Sequence, residues 1–405
     1  MIKVITGNEA AAYGAMLAQP AIICAYPITP QSRIPEQISE FYAQGLLKGK
    51  FVNVESEMAA LSYVTGACQA GVRVFTATSS QGMAWMHEGL HWASGSRLPI
   101  VLANVNRPLA APWNLTCGQI DSLSERDSGW MQLYCESNQE VLDTILQGYR
   151  IAESMCAPLM VCLDGVYLSY ISESVDIPDP DLVDRYLPPY DPTRRAKLGQ
   201  QVLGRFRSGP PPAPDAMMAQ MSYTGNRYDL HKLELACLDM AEKANAEFEA
   251  MFGRGYPLVE EYRCDDADMV LVTVGSAVGT ARHVVDGLKE KGFKVGLVKL
   301  KMFRPFPIEK IRRALAGKKK VAVIERDISP GQSGIFHQEI KWALYNGTPM
   351  YGFVGGLGGE DLTPELIEKA IMYTLNNDPP DQEAIWLGFE RGDQDDYDRR
   401  TVKVL

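Results

Sequence analysis

The feature that most restricts the fold is a hydrophobic pattern that keeps changing period. Through residue 170, short apolar runs alternate with longer stretches whose apolar positions recur at helical spacing: AIICAY, PQSRIPEQISEFYAQGLL, FVNV, ESEMAALSYVTGACQAG, VRVFTAT, QGMAWMHEGLHWASGS and LPIVLANV. Strands that are apolar throughout need cover on both faces, and the intervening helices supply it, so the rhythm predicts a parallel sheet between helical layers. The first domain is expected to be α/β, over residues 1–186.

Residues 187–214 break the rhythm with LPPYDPTRR and GPPPAP, which can continue neither a helix nor a central strand. Together with one long helical pattern at 226–252 they are read as a linker and helix, 187–255. The alternation restarts at MVLVTVGS and runs through VGTARHVVDGLKEKG, FKVGLVKL, PIEKIRRALAG and KKVAVIER. This predicts a second, smaller α/β domain with a mainly parallel sheet, 256–376. The polar end, 377–405 with DQDDYDRR, is read as an arm.

A net charge of −10 in 405 residues excludes general nucleic-acid affinity, which needs an excess of Lys and Arg. MIKVITGNEAAAYGAML has no basic region, apolar core and cleavage site in signal-peptide order, and no apolar run has the length of a membrane span. A cytoplasmic protein is expected. The eight cysteines are scattered, with no C-x-x-C, so they read as buried free thiols and offer no framework for an iron–sulfur cluster.

Two short motifs invite chemistry. HEGLH at 87–91 matches the zinc-protease pattern, in which two histidines one helical turn apart share a metal and the glutamate acts as base. The same segment, MAWMHEGLHWASG, also reads as a helix face packed on a sheet, with no third histidine until His231. GSAVGTA after the strand MVLVTV lacks dinucleotide-site spacing and reads as a tight turn.

Four segments in order are more specific: AYPITPQS at 25–32, NVESEMAA at 53–60, TATSSQG at 76–82 and LANVNRP at 102–108, followed by DSLSERDSGWMQLYCESNQE at 121–140. Together they resemble the alpha subunit of the thiamine diphosphate-dependent 2-oxoacid:ferredoxin oxidoreductases, the pyruvate:ferredoxin oxidoreductase type. The resemblance runs over essentially the whole chain. It implies a pyrimidine-binding domain followed by a domain similar to the transketolase C-terminal one. The implied reaction is oxidative decarboxylation of a 2-oxoacid, with the acyl group passed to coenzyme A and electrons to iron–sulfur clusters.

Thiamine becomes nucleophilic when a carboxylate shares a proton with its aminopyrimidine. VESEMAA offers Glu55 and Glu57, and the family position is that of Glu57; without the resemblance, a solvated carboxylate at a helix start would be the preferred reading. By the same resemblance Ser80, Gln81 and Gly82 lie near the pyrimidine, although Ser and Gln there also suit helix capping. A 2-oxoacid needs a fixed cation and a hydroxyl donor. Arg107, at the exit of LPIVLANV, suits the first, and Thr29, bracketed by Pro27 and Pro30, matches the family threonine for the second. A surface arginine and a structural turn threonine remain open alternatives.

No G-D-G occurs in the chain. The resemblance therefore implies that the diphosphate and Mg2+ are held by a beta subunit, with [4Fe-4S] clusters in partner subunits that include gamma and a ferredoxin-like delta. Ferredoxin or an NAD-reducing subunit is the implied acceptor. Thr116, Cys117 and Gly118 stand where pyruvate-type relatives carry acidic residues, which raises a phenylglyoxylate-like acid beside pyruvate as substrate. Lys310, Arg312, Arg313, Lys318, Lys319 and Lys320 read as a solvated basic face, or as a docking site for an acidic electron carrier or coenzyme A phosphates. A zinc hydrolase using HEGLH and a catalytically silent scaffold subunit are the competing functions.

Overall fold

A computed structural model describes residues 1–194, 223–345, 347–379 and 384–389, with the backbone of 403–404. The GPPPAP segment and DQDDYDRR lie outside the described residues. The architecture is α/β: two seven-stranded sheets, each parallel except for one edge strand, and a two-stranded ribbon of Ile2–Thr6 with Ser172–Asp176.

The first sheet runs in the order Met302–Arg304, Met131–Tyr134, Leu159–Asp164, Val101–Asn106, Val74–Thr78, Ile22–Ala25, Lys50–Asn53. Val74–Thr78, Val101–Asn106 and Leu159–Asp164 are buried at every residue, which is why their sequences show no alternation. The helix Gly7–Ala18 packs on Asn138–Met155 unusually closely. A Cβ on Gly14 would lie 2.8 Å from the Ile145 Cβ, so the small residues of AAAYGA are what permit the approach. The long helix Tyr223–Phe252 lays Leu230, Leu233, Cys237, Ala241, Ala244 and Phe248 on the same body, at helical spacing.

The second sheet runs Lys403–Val404, Ile385–Trp386, Met350–Val354, Lys320–Glu325, Met269–Thr273, Val295–Leu300, Val259–Tyr262. The end of the chain thus contributes edge strands where its polarity suggested an arm. Ile385 and Leu387 are buried, and Ile385–Trp386 pairs in parallel with Phe353–Val354.

Sequence reading placed 256–376 in its own unit, yet Met302–Arg304 crosses to pair antiparallel with Met131–Tyr134 of the first sheet. One apolar core runs through both bodies, from Leu61 and Met86 to Phe303, Phe336 and Ile340. Ion pairs reinforce the joint. Lys299 and Lys301, both buried, reach Glu140 at 2.8 and 2.6 Å. Asp164 accepts from Arg326 at 2.6 Å and from the backbone and hydroxyl of Ser276 at 2.8 Å each. Ser276 belongs to the GSAVGTA turn ahead of the helix Ala277–Glu290, so the anion position of that turn is filled by the protein's own carboxylate.

Candidate active site

Four neighbouring strands of the first sheet deliver candidate residues from their carboxyl ends, where ligands of parallel sheets collect. Thr29 follows Ile22–Ala25, Glu57 follows Lys50–Asn53, Ser80 follows Val74–Thr78 and Arg107 follows Val101–Asn106. Residues distant in sequence meet because the strands are adjacent in space.

Glu57 opens the helix Glu57–Gln69, whose start is capped by the Ser56 hydroxyl accepting from the Ala59 amide at 3.1 Å. Only 5% of Glu57 is exposed, and its carboxylate forms no hydrogen bond among the described residues. Gly82, in the first turn of Ser80–Gly95, faces it: a Cβ there would lie 2.8 Å from Glu57 Oε1 and 2.4 Å from Thr78 Oγ1. The hydroxyls of Thr78 and Ser79 are buried without partners.

Arg107 is 1% exposed. Its guanidinium donates to the Thr29 carbonyl and to Gln81 Oε1, and lies 5.1 Å from the centroid of the Trp113 ring, which covers it. Its Nε–H is buried without an acceptor. Burial lowers the guanidinium's pKa, against the opposing charges of Asp121 and Glu57. Thr29 is exposed, and its carbonyl rather than its hydroxyl meets Arg107. The Ser80 hydroxyl, with one proton to donate, lies 2.6 Å from the Pro108 carbonyl and 2.7 Å from Gln81 Oε1.

Sequence reasoning missed the residue that ties these parts together. Asp121, fully buried in the short helix Ile120–Leu123, accepts from the amides of Ser80 and Arg107 through one oxygen. Its burial is a property of the assembled sheet, and DSLSERDSGW gives no local sign of it. Trp113, which is exposed, was missed because only the fold brings its ring over Arg107.

Cys117 and Gly118 are small for reasons of packing. Cys117 is buried, with its thiol raised by burial and by Asp164, and a Cβ on Gly118 would lie 2.5 Å from Pro108 Cγ. That leaves Thr116 alone to support an enlarged substrate pocket.

HEGLH lies on the helix Ser80–Gly95. The His87 and His91 rings meet edge to face at 4.8 Å, and His87 Nδ1 lies 2.7 Å from Glu125. Among the described residues no group of three or more His, Cys, Asp and Glu is placed to hold a metal. The basic cluster is largely engaged within the chain. Lys310 pairs with Glu242, Lys319 with Asp268, Arg312 with Glu309, and Lys318 and Lys320 with backbone carbonyls. No described helix is long and apolar enough to cross a membrane.

Comparison with known proteins identifies the family. Residues 13–244 match the thiamine diphosphate-binding family of pyruvate flavodoxin/ferredoxin oxidoreductase, and 267–367 match core domain II of pyruvate:ferredoxin oxidoreductase. The chain is 45% identical over 393 residues to pyruvate synthase subunit PorA of Methanothermobacter thermautotrophicus, covering 96% of this chain and 99% of the relative. It is 41% identical over 396 residues to ketoisovalerate oxidoreductase subunit VorA of Pyrococcus horikoshii, covering 96% and 98%. A 2-oxoglutarate:ferredoxin oxidoreductase structure from Magnetococcus marinus shares the fold at TM-score 0.69 and 22% identity; the match covers 93% of this chain and 65% of that one. With such matches along nearly its whole length, the chain belongs to the 2-oxoacid:ferredoxin oxidoreductase family, in the position of the PorA and VorA subunits.

Proposed function

We propose that this chain binds the aminopyrimidine half of thiamine diphosphate and the carboxylate of a 2-oxoacid. It does so within a heteromeric enzyme that converts the acid, with coenzyme A, to acyl-CoA and CO2 and passes electrons to iron–sulfur clusters. The observation that carries the reading is the buried Glu57 carboxylate, packed against Gly82 and with no hydrogen bond among the described residues. A carboxylate so little exposed fits a protonated ring nitrogen, and Gly82 carries no side chain because Glu57 and Thr78 occupy that space.

Bound thiamine diphosphate supplies the nucleophilic carbon at which a 2-oxoacid loses CO2. Glu57 holds and returns a proton at N1′ of the pyrimidine, and Ser80, Gln81 and Gly82 line that side of the ring. Arg107 orients the substrate carboxylate with the donors left after Thr29 and Gln81 are served, its free Nε–H among them. The Thr29 hydroxyl adds a donor at the rim.

Without G-D-G or cluster cysteines in this chain, a beta subunit brings the diphosphate, Mg2+ and their ligands. Gamma and ferredoxin-like delta subunits carry [4Fe-4S] clusters toward ferredoxin or an NAD-reducing acceptor. A groove lined by Leu61, Gly66, Gly89 and Trp92, between the helices that begin at Glu57 and Ser80, is the surface on which the beta subunit docks in this reading. Eight buried cysteines suit a reducing cytoplasm. Pyruvate and 2-oxoisovalerate come first as substrates, since the curated relatives carry those names and only Thr116 still favours phenylglyoxylate.

The test is purification of the native complex with assay of thiamine, iron and zinc, followed by kcat/KM for the three acids. Copurifying thiamine and iron with 2-oxoacid turnover supports the proposal. A solitary chain holding one zinc and no thiamine overturns it.

A further inference from the structure

Asp121 lies beneath the proposed site without facing it. One of its oxygens, Oδ2, accepts from the amides of Ser80 at 2.9 Å and Arg107 at 3.1 Å. The other, Oδ1, accepts from the Asn106 side chain and the Ser122 amide, both at 2.8 Å. Gln81 closes the circuit on the far side, its Oε1 accepting from the Arg107 guanidinium and lying 2.7 Å from the Ser80 hydroxyl, whose one proton it shares with the Pro108 carbonyl. Two segments that only the fold brings together, the start of Ser80–Gly95 and the exit of Val101–Asn106, are thus locked in register by one carboxylate.

We propose that Asp121 is a positioning residue that presents Arg107 to the 2-oxoacid, and that its ionised form is required to do so. The proposal rests on the function inferred above. All four polar neighbours are donors. A carboxylate satisfies them, whereas an asparagine in either orientation turns an NH2 toward two of them. The backbone supports this role. Ser80 has φ of +49°, a left-handed conformation unfavourable for a serine, and its bond to Asp121 helps hold it there.

Burial pushes the Asp121 carboxyl up to about 6, against the donors that lower it. The charged and titratable groups around it are Arg107 at the strand exit, Glu125 one turn on, Tyr134 and Cys162 on neighbouring strands, and Cys117 in the preceding loop. Protonation places an O–H among donors and opens the circuit that fixes Arg107.

In the assembled complex, Asp121→Asn is expected to raise KM for the 2-oxoacid about tenfold or more, to change kcat less than about threefold and to leave thiamine content unchanged. Wild-type kcat/KM is expected to fall on acidification with an apparent pKa near 6, a limb that the variant lacks. An unchanged KM in a folded, assembled Asp121→Asn complex overturns the proposal. If the variant does not assemble, the wild type decides: kcat/KM that stays flat from about pH 7 to about pH 5 overturns it. A wild-type complex that turns over no 2-oxoacid overturns the function itself, a result distinct from either.

Discussion

Gly82 lies so close to Glu57 that a methyl group added to it would stand 2.8 Å from the carboxylate and 2.4 Å from the Thr78 hydroxyl. Real Cβ atoms do not approach so closely, so Gly82→Ala must displace Glu57 or the first turn of Ser80–Gly95. Misplacement of a catalytic group by about 1 Å costs on the order of a hundredfold in rate. We expect kcat of the assembled complex to fall at least about tenfold while the subunits still copurify. Unchanged kcat would show that nothing depends on this contact.

Arg107 offers a planar fork, two arms of which are already committed to Thr29 and Gln81. Lysine keeps the charge and loses the fork. Arg107→Lys is expected to cost roughly 1.5–3 kcal/mol of carboxylate binding, read as a KM about ten- to a hundredfold higher with assembly intact. A KM within about twofold of wild type would place the substrate carboxylate elsewhere.

Glu140 joins the two sheets. Burial alone would raise its pKa, but Lys301 and Lys299 outweigh burial and hold it at about 2, below its ordinary 4.5. A lowered carboxylate pKa stabilises the fold above the unfolded value and loses that contribution as pH falls through the folded one. Wild-type stability should therefore decline by about 3 kcal/mol between roughly pH 4.5 and 2 through this group. Glu140→Gln should be less stable at neutral pH, because two buried lysines lose their partner, and should show a shallower acid decline. Denaturant unfolding of both proteins across that range is the measurement, and parallel curves would refute the assignment.

The sequence was most legible where one residue type serves one period. The parallel order of Val74–Thr78 and Val101–Asn106 was readable from unbroken apolar runs, and the helix at 226–252 from its spacing. Placing Glu57, Ser80, Gln81, Gly82 and Arg107 in one neighbourhood needed the resemblance, because adjacency of strand exits is a long-range property. Three features were illegible. Met302–Arg304 joins a sheet built from residues far earlier, Asp121 looks like any polar helix-start residue, and the smallness of Gly118 reflects Pro108 rather than a ligand. Each depends on what the fold brings alongside, and no local pattern encodes that.

The most direct test of the central claim is turnover of the assembled complex carrying Glu57→Ala, with subunit content and melting temperature measured on the same preparation. If Glu57 is the proton partner of the cofactor, 2-oxoacid oxidation falls at least about a thousandfold while assembly and melting stay near wild type. Turnover close to wild type would contradict the account and leave this chain a scaffold for chemistry done elsewhere.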